Sequence, residues 1–219
     1  MPRIARVVIP GIPHHIVQRG HRRQRVFFCD EDHELYLSLL KKYGEKEGIA
    51  YWAYCLMENH VHLVAVPRFP DSLKRGLGIA HWKYSLIINL REGWQGYLWQ
   101  SRFYSHPLDD FYWRVAVRYS EMNPVRAGIV KQPQDYIWSS ARAHIFHKTD
   151  LILSESPLDH EVKDWGKFLA SGMTDSELKL LRLHSSTGRP LGDDAFVQRL
   201  EVLTGRRLMP IKPGPKPKD

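Results

Sequence analysis

Residues 49 to 66 read IAYWAYCLMENHVHLVAV, two β-rich and largely apolar runs, Ile49 to Met57 and Val61 to Val66, joined by Glu58-Asn59-His60. Their composition and spacing suit an antiparallel hairpin of central strands. Upstream, Asp30 to Gly48 has acids in its first turn, Leu35, Leu39, Leu40 and Tyr43 at helical spacing, and Gly48 as a stop, which predicts a helix. His14 to Arg19 follows the turn signals Pro10-Gly11 and Pro13 and reads as a strand, and the arginine-rich stretch after Gly20 reads as a loop. Downstream, Asp71 to Leu90 reads as a second helix, Tyr97 to Tyr104 as a strand, and Asp109 to Asn123 as a third helix stopped by Pro124. The order strand, helix, strand, strand, helix, strand, helix predicts an α+β fold: a ferredoxin-like antiparallel sheet with packed helices and one helix added.

The chain has 219 residues, enough for one domain with an appendage. Between Asp150 and Thr204 the charge balance turns acidic, so a boundary is expected near residue 150. The expected division is residues 1–149, a mostly helical extension over 150–208, and a basic Pro/Lys-rich tail over 209–219 that is disordered without a partner. Nothing approaches the ~20 apolar residues of a membrane span, and the N-terminus lacks the apolar run of a signal peptide, so a cytoplasmic protein is expected. The two cysteines, Cys29 and Cys55, exclude a four-cysteine zinc site and read as buried thiols.

The net charge of +8 is concentrated at the two ends. Residues 1–25 carry Arg3, Arg6, Arg19, Arg22, Arg23 and Arg25 and no acid, and residues 205–219 are again basic. Basic arms on a near-neutral body suit a polyanion, since neutralised phosphates release counterions.

His60-Val61-His62 opens a strand whose side chains alternate, so both imidazoles face one side and form a two-point metal seat. With twelve histidines in the chain, such a pair also arises by chance. On the third helix Tyr112, Ala116, Tyr119 and Asn123 form one stripe, while Phe111, Val115 and Met122 form another that can face the core. Tyr119 and Asn123 are neighbours there, either aimed into one site or serving only as an amphipathic tyrosine and a cap before Pro124.

The strings HHIVQRG (14–20), CLMENHVHLVAVP (55–67), RYSEMNPVRAGIV (118–130) and TGRPLG (187–192) together resemble the single-tyrosine transposases related to the IS200 type, nearest to the branch associated with repetitive extragenic palindromes. The resemblance implies a catalytic domain over 1–149, Tyr119 as nucleophile, and a divalent metal held by His60 and His62 with Asn123 as a third polar ligand. It also implies a 5′-phosphotyrosine intermediate, and a single-stranded DNA substrate flanked by palindromic hairpins. Where such proteins often carry proline, this chain has Glu58, a carboxylate that moves the loop or reaches the metal. Ser120 stands where an aliphatic residue is common.

A tyrosine phenol has a pKa near ~10, so attack as phenolate at neutral pH is opposed by about 4 kcal/mol. Mg²⁺ or Mn²⁺ offsets charge on the scissile phosphate and orients it, and fits an oxygen-completed shell better than zinc does, although two imidazoles also suit zinc. One phosphoester replaces another, so no ATP is needed, and no P-loop occurs. Single strands can reach a helix-borne tyrosine and can stack bases on Trp52, Trp82, Trp94, Trp99 or Trp113, although core packing is the commoner use of any one of them. The expected partner is single-stranded hairpin DNA, with the protein a nucleoid-associated monomer or homodimer and no membrane. The main alternative is a domesticated, non-catalytic hairpin-DNA-binding protein. An RNA-binding module lacks its glycine-aromatic strand signature here, and a zinc hydrolase lacks H-E-x-x-H.

Overall fold

The computed structural model describes residues 5–209. Four strands, β1 (His14–Arg19), β2 (Ile49–Met57), β3 (His60–Pro67) and β4 (Tyr104–Pro107), form one sheet in the order β2-β3-β1-β4, every neighbouring pair antiparallel. With α1 (Asp30–Glu47) between β1 and β2 and α2 (Ser72–Glu92) between β3 and β4, this is the predicted ferredoxin-like arrangement, a split βαβ with β3 inserted between β1 and β2. The β2–β3 turn is only Glu58-Asn59, because Met57 already pairs with His60. Gly48 ends α1 in the left-handed conformation at φ 66°.

The strand expected over Tyr97 to Tyr104 lies later in the chain. Only Tyr104–Pro107 pairs with β1, opposite His14 to Val17. The preceding segment turns Leu98, Trp99 and Phe103 into the core beneath α1 and α2, so its β-like composition marked anchors rather than a ladder.

The sheet has two different faces. Ile16 on β1, Leu56 on β2 and Val61, Leu63 and Ala65 on β3 pack against Tyr36, Leu40, Leu73, Leu77 and Tyr84 of α1 and α2. The opposite face carries Ala53 and Val64, which meet Trp113, Ala116 and Val117 of α3 (Asp110–Glu121). Val115 of α3 is buried, whereas Phe111 is 53% exposed, so the expected second core stripe does not include Phe111. The chain departs from α3 at Met122 and re-enters a short helix, α4 (Asn123–Arg126), with Pro124 in its first turn. The helix expected to reach Asn123 therefore stops two residues earlier.

Beyond α4, helices α5 (Ala141–Phe146), α6 (Pro157–Glu161), α7 (Trp165–Ala170), α8 (Asp175–Thr187) and α9 (Asp194–Thr204) follow. Leu158, Trp165, Leu169, Leu181 and Leu191 share the core of α3. Phe196, Val197 and Leu200 of α9 close over Val7 and Ile9 of the N-terminal segment. Of the tail expected over 209–219, all but Met209 lies outside the described residues. No described helix is long and apolar enough to cross a membrane.

Candidate active site

The α3 face of β3 brings His60 and His62 together, ring centroids 5.0 Å apart and nearly perpendicular. Alternation along the strand sends Val61 into the opposite core, where it is fully buried. Tyr119 lies across from them, its ring 5.2 Å from that of His62. The side chain is 9% exposed and opens into a cleft of about 450 Å³ whose walls include Arg19, His62, Tyr104, Arg182 and Ser185.

The start of α3 is fixed by the C-terminal TGRPLG string. Asp109 caps the helix through Tyr112 N at 2.8 Å, and its second carboxylate oxygen accepts Asp193 N at 3.0 Å. Leu191 exchanges backbone hydrogen bonds with Pro107 and Asp109. A Cβ on Gly192 would come within 2.7 Å of Asp109 Cβ, so only glycine allows this approach. The far end of α3 is tied down by Glu121, fully buried, which accepts from Ser140 Oγ (2.5 Å), His144 Nδ1 (2.6 Å) and Trp165 Nε1 (2.7 Å). Arg126 of α4 lies 4.1 Å over the Tyr119 ring and donates to the Tyr119 carbonyl at 3.0 Å. The nucleophile candidate is thus held at both ends of its helix and from above.

Each histidine of the pair has its Nδ1 engaged. His60 Nδ1 lies 2.6 Å from Asn59 Oδ1, and Asn59 in turn donates from Nδ2 to the Arg23 carbonyl at 3.2 Å. His62 Nδ1 lies 3.0 Å from His15 Nε2. Among the described residues neither Nε2 has a hydrogen-bond partner, so both are open to a ligand. Burial, with Arg19 and Arg126 adding to it, lowers the His60 pKa to about 4. Burial, then the neighbouring histidines and arginines, lowers that of His62 further. Both rings are therefore neutral at physiological pH, the form that binds metals.

The donor set fits an open cation site. Among the described residues no group of three or more His, Cys, Asp or Glu side chains is gathered to enclose a metal, which argues against a closed structural zinc site. Two imidazoles with unfilled positions suit a cation that completes its shell with substrate and water oxygens. Asn123 stands at the first position of α4, 9% exposed, with its amide Nδ2 buried and unpartnered among the described residues. Its amide oxygen, not Nδ2, is the atom that would bind a cation, and among the described residues no hydrogen bond or ring contact joins Asn123 to the histidines.

Glu58 reaches neither histidine. Its carboxylate pairs with Arg25 at 3.3 Å, both side chains well exposed. Arg22 and Arg23 are exposed on a single 3-10 turn (His21–Arg23) with φ of 51° and 62°. The turn is possible because Gly20 lies where a Cβ would meet the Gln24 carbonyl at 2.3 Å. Since Arg19 pairs with His60 across β1 and β3, this basic loop sits at the His60 end of the sheet. Arg6 instead donates to the Phe103 carbonyl (2.9 Å) and stacks 3.6 Å over its ring, and Arg3 lies outside the described residues.

Of the five tryptophans offered above for base stacking, Trp99 and Trp113 are buried and Trp52 packs against Trp113, while Trp82 and Trp94 are 57% and 43% exposed. Trp82 lines a second cleft, about 630 Å³, along α2 with Lys74, Tyr97, Gln100 and Arg102. Cys55 is a buried thiol as expected, whereas Cys29 is exposed, because it precedes the first turn of α1 at the surface; both are free. Sequence reading missed His15, His106, Arg126, Ser185 and Glu121. HHIVQRG and RYSEMNPVRAGIV include His15, Glu121 and Arg126, TGRPLG lies just after Ser185, and His106 falls in none of these strings; local spacing does not reveal contacts across the fold.

The family described as "Transposase IS200 like" matches residues 9–123. The fold is similar to that of a tyrosine transposase associated with REP elements, solved bound to a REP hairpin: TM-score 0.55, 18% identity, covering 71% of this chain and 93% of that one. A candidate transposase from Deinococcus radiodurans is aligned with TM-score 0.38 and 21% identity over 62% of this chain and 95% of its own. No curated protein matches the chain.

Proposed function

The chain belongs to the IS200-like transposase family, and from that premise we propose that it cuts and rejoins single-stranded, hairpin-flanked DNA through a covalent bond to Tyr119. The observation that carries this reading is the Tyr119 ring standing 5.2 Å from His62 on the rim of a cleft that also holds Arg19 and Arg182. In the reaction Tyr119 Oη forms a bond to the scissile phosphorus as the bond to the upstream 3′-oxygen breaks. The phenolic proton is lost to solvent, and the departing oxygen leaves as a 3′-hydroxyl. The phosphate stays on the downstream 5′-oxygen, so a second 3′-hydroxyl reverses the step at little cost in free energy.

His60 and His62, with Asn123 as the third donor, would hold Mg²⁺ or Mn²⁺, which when bound neutralises charge on a non-bridging phosphate oxygen. Arg19, Arg22, Arg23 and Arg25 would follow the backbone beside the His60 end of the sheet, and Trp82 and Tyr97 on the α2 cleft would stack bases. The hairpin held by the structural relative supports a hairpin substrate for this chain as well.

The test is to incubate the protein, with Mg²⁺, with single-stranded oligonucleotides that carry an imperfect palindromic hairpin and the sequence flanking its coding DNA. An SDS-resistant protein–DNA adduct that EDTA abolishes is the expected result. Tight hairpin binding without adduct would instead mean a non-catalytic hairpin-binding protein.

A further inference from the structure

The hydrogen bond at His62 continues inward. His15 Nε2 lies 3.0 Å from His62 Nδ1, the two rings within 2° of parallel. His15 Nδ1 lies 3.2 Å from Ser185 Oγ, 170 residues away in the chain, and Ser185 Oγ donates to the Leu181 carbonyl at 2.8 Å. The series ends on a carbonyl, which has no proton to give, and this fixes its direction. Ser185 has one hydroxyl proton and Leu181 takes it, so Ser185 accepts from His15 Nδ1–H. A neutral imidazole protonated at Nδ1 keeps its lone pair on Nε2, so His15 Nε2 accepts from His62 Nδ1–H. The remaining lone pair of His62 is then on Nε2.

We propose that His15 and Ser185 are positioning residues that hold His62 in the tautomer presenting Nε2 to a divalent cation, which places control of the metal seat partly in α8. This rests on the reading of His60 and His62 as that seat. A free histidine side chain in water favours the opposite tautomer, with its proton on Nε2, so a buried acceptor at Nδ1 is needed to reverse the preference. The His15 ring is fixed in place by its neighbours, since His106 and Tyr119 meet it edge-on at 89° and 83°. His60 obtains the same orientation from its sequence neighbour Asn59 and needs no distant partner. Of the two, His62 alone depends on α8. Without the Ser185 hydroxyl, His15 can carry its proton on Nε2 and donate to His62 Nδ1. That moves the His62 proton to Nε2 and blocks ligation with no heavy atom displaced.

The experiment uses the full chain labelled with ¹⁵N-histidine and free of metal. Long-range ¹⁵N–¹H spectra assign the tautomers, and Mn²⁺ binding is measured in parallel by calorimetry. The wild type is expected to show Nδ1–H on both His15 and His62. S185A is expected to move His62 towards Nε2–H and weaken Mn²⁺ binding by about tenfold, the usual effect of losing an outer-shell partner. S185T, which keeps a hydroxyl, should restore both. H15Q, which keeps an acceptor, should bind Mn²⁺ better than H15F. Nε2–H on His62 in the wild type, or unchanged tautomer and affinity in S185A, overturns the relay. The stated tautomers with no Mn²⁺ binding in any variant would support the relay and remove the metal reading instead.

Discussion

On β3, Val61, Leu63 and Ala65 enter a core with α1 and α2 in which each is fully buried, whereas His60 and His62, on either side of Val61, point to α3. The first face is held by apolar contact, tolerant of direction and dependent on volume. The second contains neutral histidines and a buried glutamate whose stability depends on hydrogen bonds with a fixed polarity. One strand therefore carries both the scaffold and the chemistry, and substitutions on its two faces should fail in different ways.

The largest expected effect is on the chemical face. Tyr119→Phe removes one hydroxyl and should lower adduct formation by on the order of a thousandfold or more, with hairpin binding and thermal unfolding little changed. Adduct persisting in the phenylalanine variant would point to Tyr112, earlier on the same stripe.

Neighbours on β3 separate the two faces most cleanly. Leu63→Ala should lose about 2–5 kcal/mol in denaturant unfolding while Mn²⁺ still binds the folded fraction. His62→Ala should lose Mn²⁺ binding at a smaller cost in stability. If the alanine at 62 unfolds the protein and the one at 63 does not, the division of labour between the faces is wrong.

Glu121 is a structural group on the chemical face. Burial opposes charge on His144, but the Glu121 charge and hydrogen bond outweigh it and hold the imidazole above its ordinary 6.5. A histidine raised on folding adds stability below its unfolded pKa and loses it as pH climbs through the folded value. Wild type should therefore exceed Glu121→Gln by about 1–3 kcal/mol at acidic pH, the gap narrowing above pH 6.5. A gap that stays constant from about pH 5.5 to about 8.5 would mean that the ion pair contributes nothing to it.

The smallest stability effect belongs to the basic loop. Arg25→Ala breaks an exposed pair with Glu58 and should change unfolding by under about 1 kcal/mol. Its effect should appear instead in single-stranded DNA binding, as a reduction of about one in the salt slope. An unaltered slope would place Arg25 away from phosphate.

Whatever local periodicity carries was legible in the residues alone. The order of the elements up to α3, the antiparallel hairpin, the common face of His60 and His62, and Tyr119 near the end of an amphipathic helix each follow from a repeat of two or of 3.6 residues. The C-terminal TGRPLG string was legible too, though not its use as a brace for α3. The rest was settled by packing. β4 formed at Tyr104–Pro107 because the aromatic segment before it was drawn into the α1/α2 core. Asn123 left the tyrosine helix because Pro124 cannot continue its ladder. His15, Ser185 and Glu121 became part of the site through partners tens to more than a hundred residues away, and no local spacing records such contacts. Local repeats fix which face a side chain takes; what waits for it there is set by the packing of distant segments.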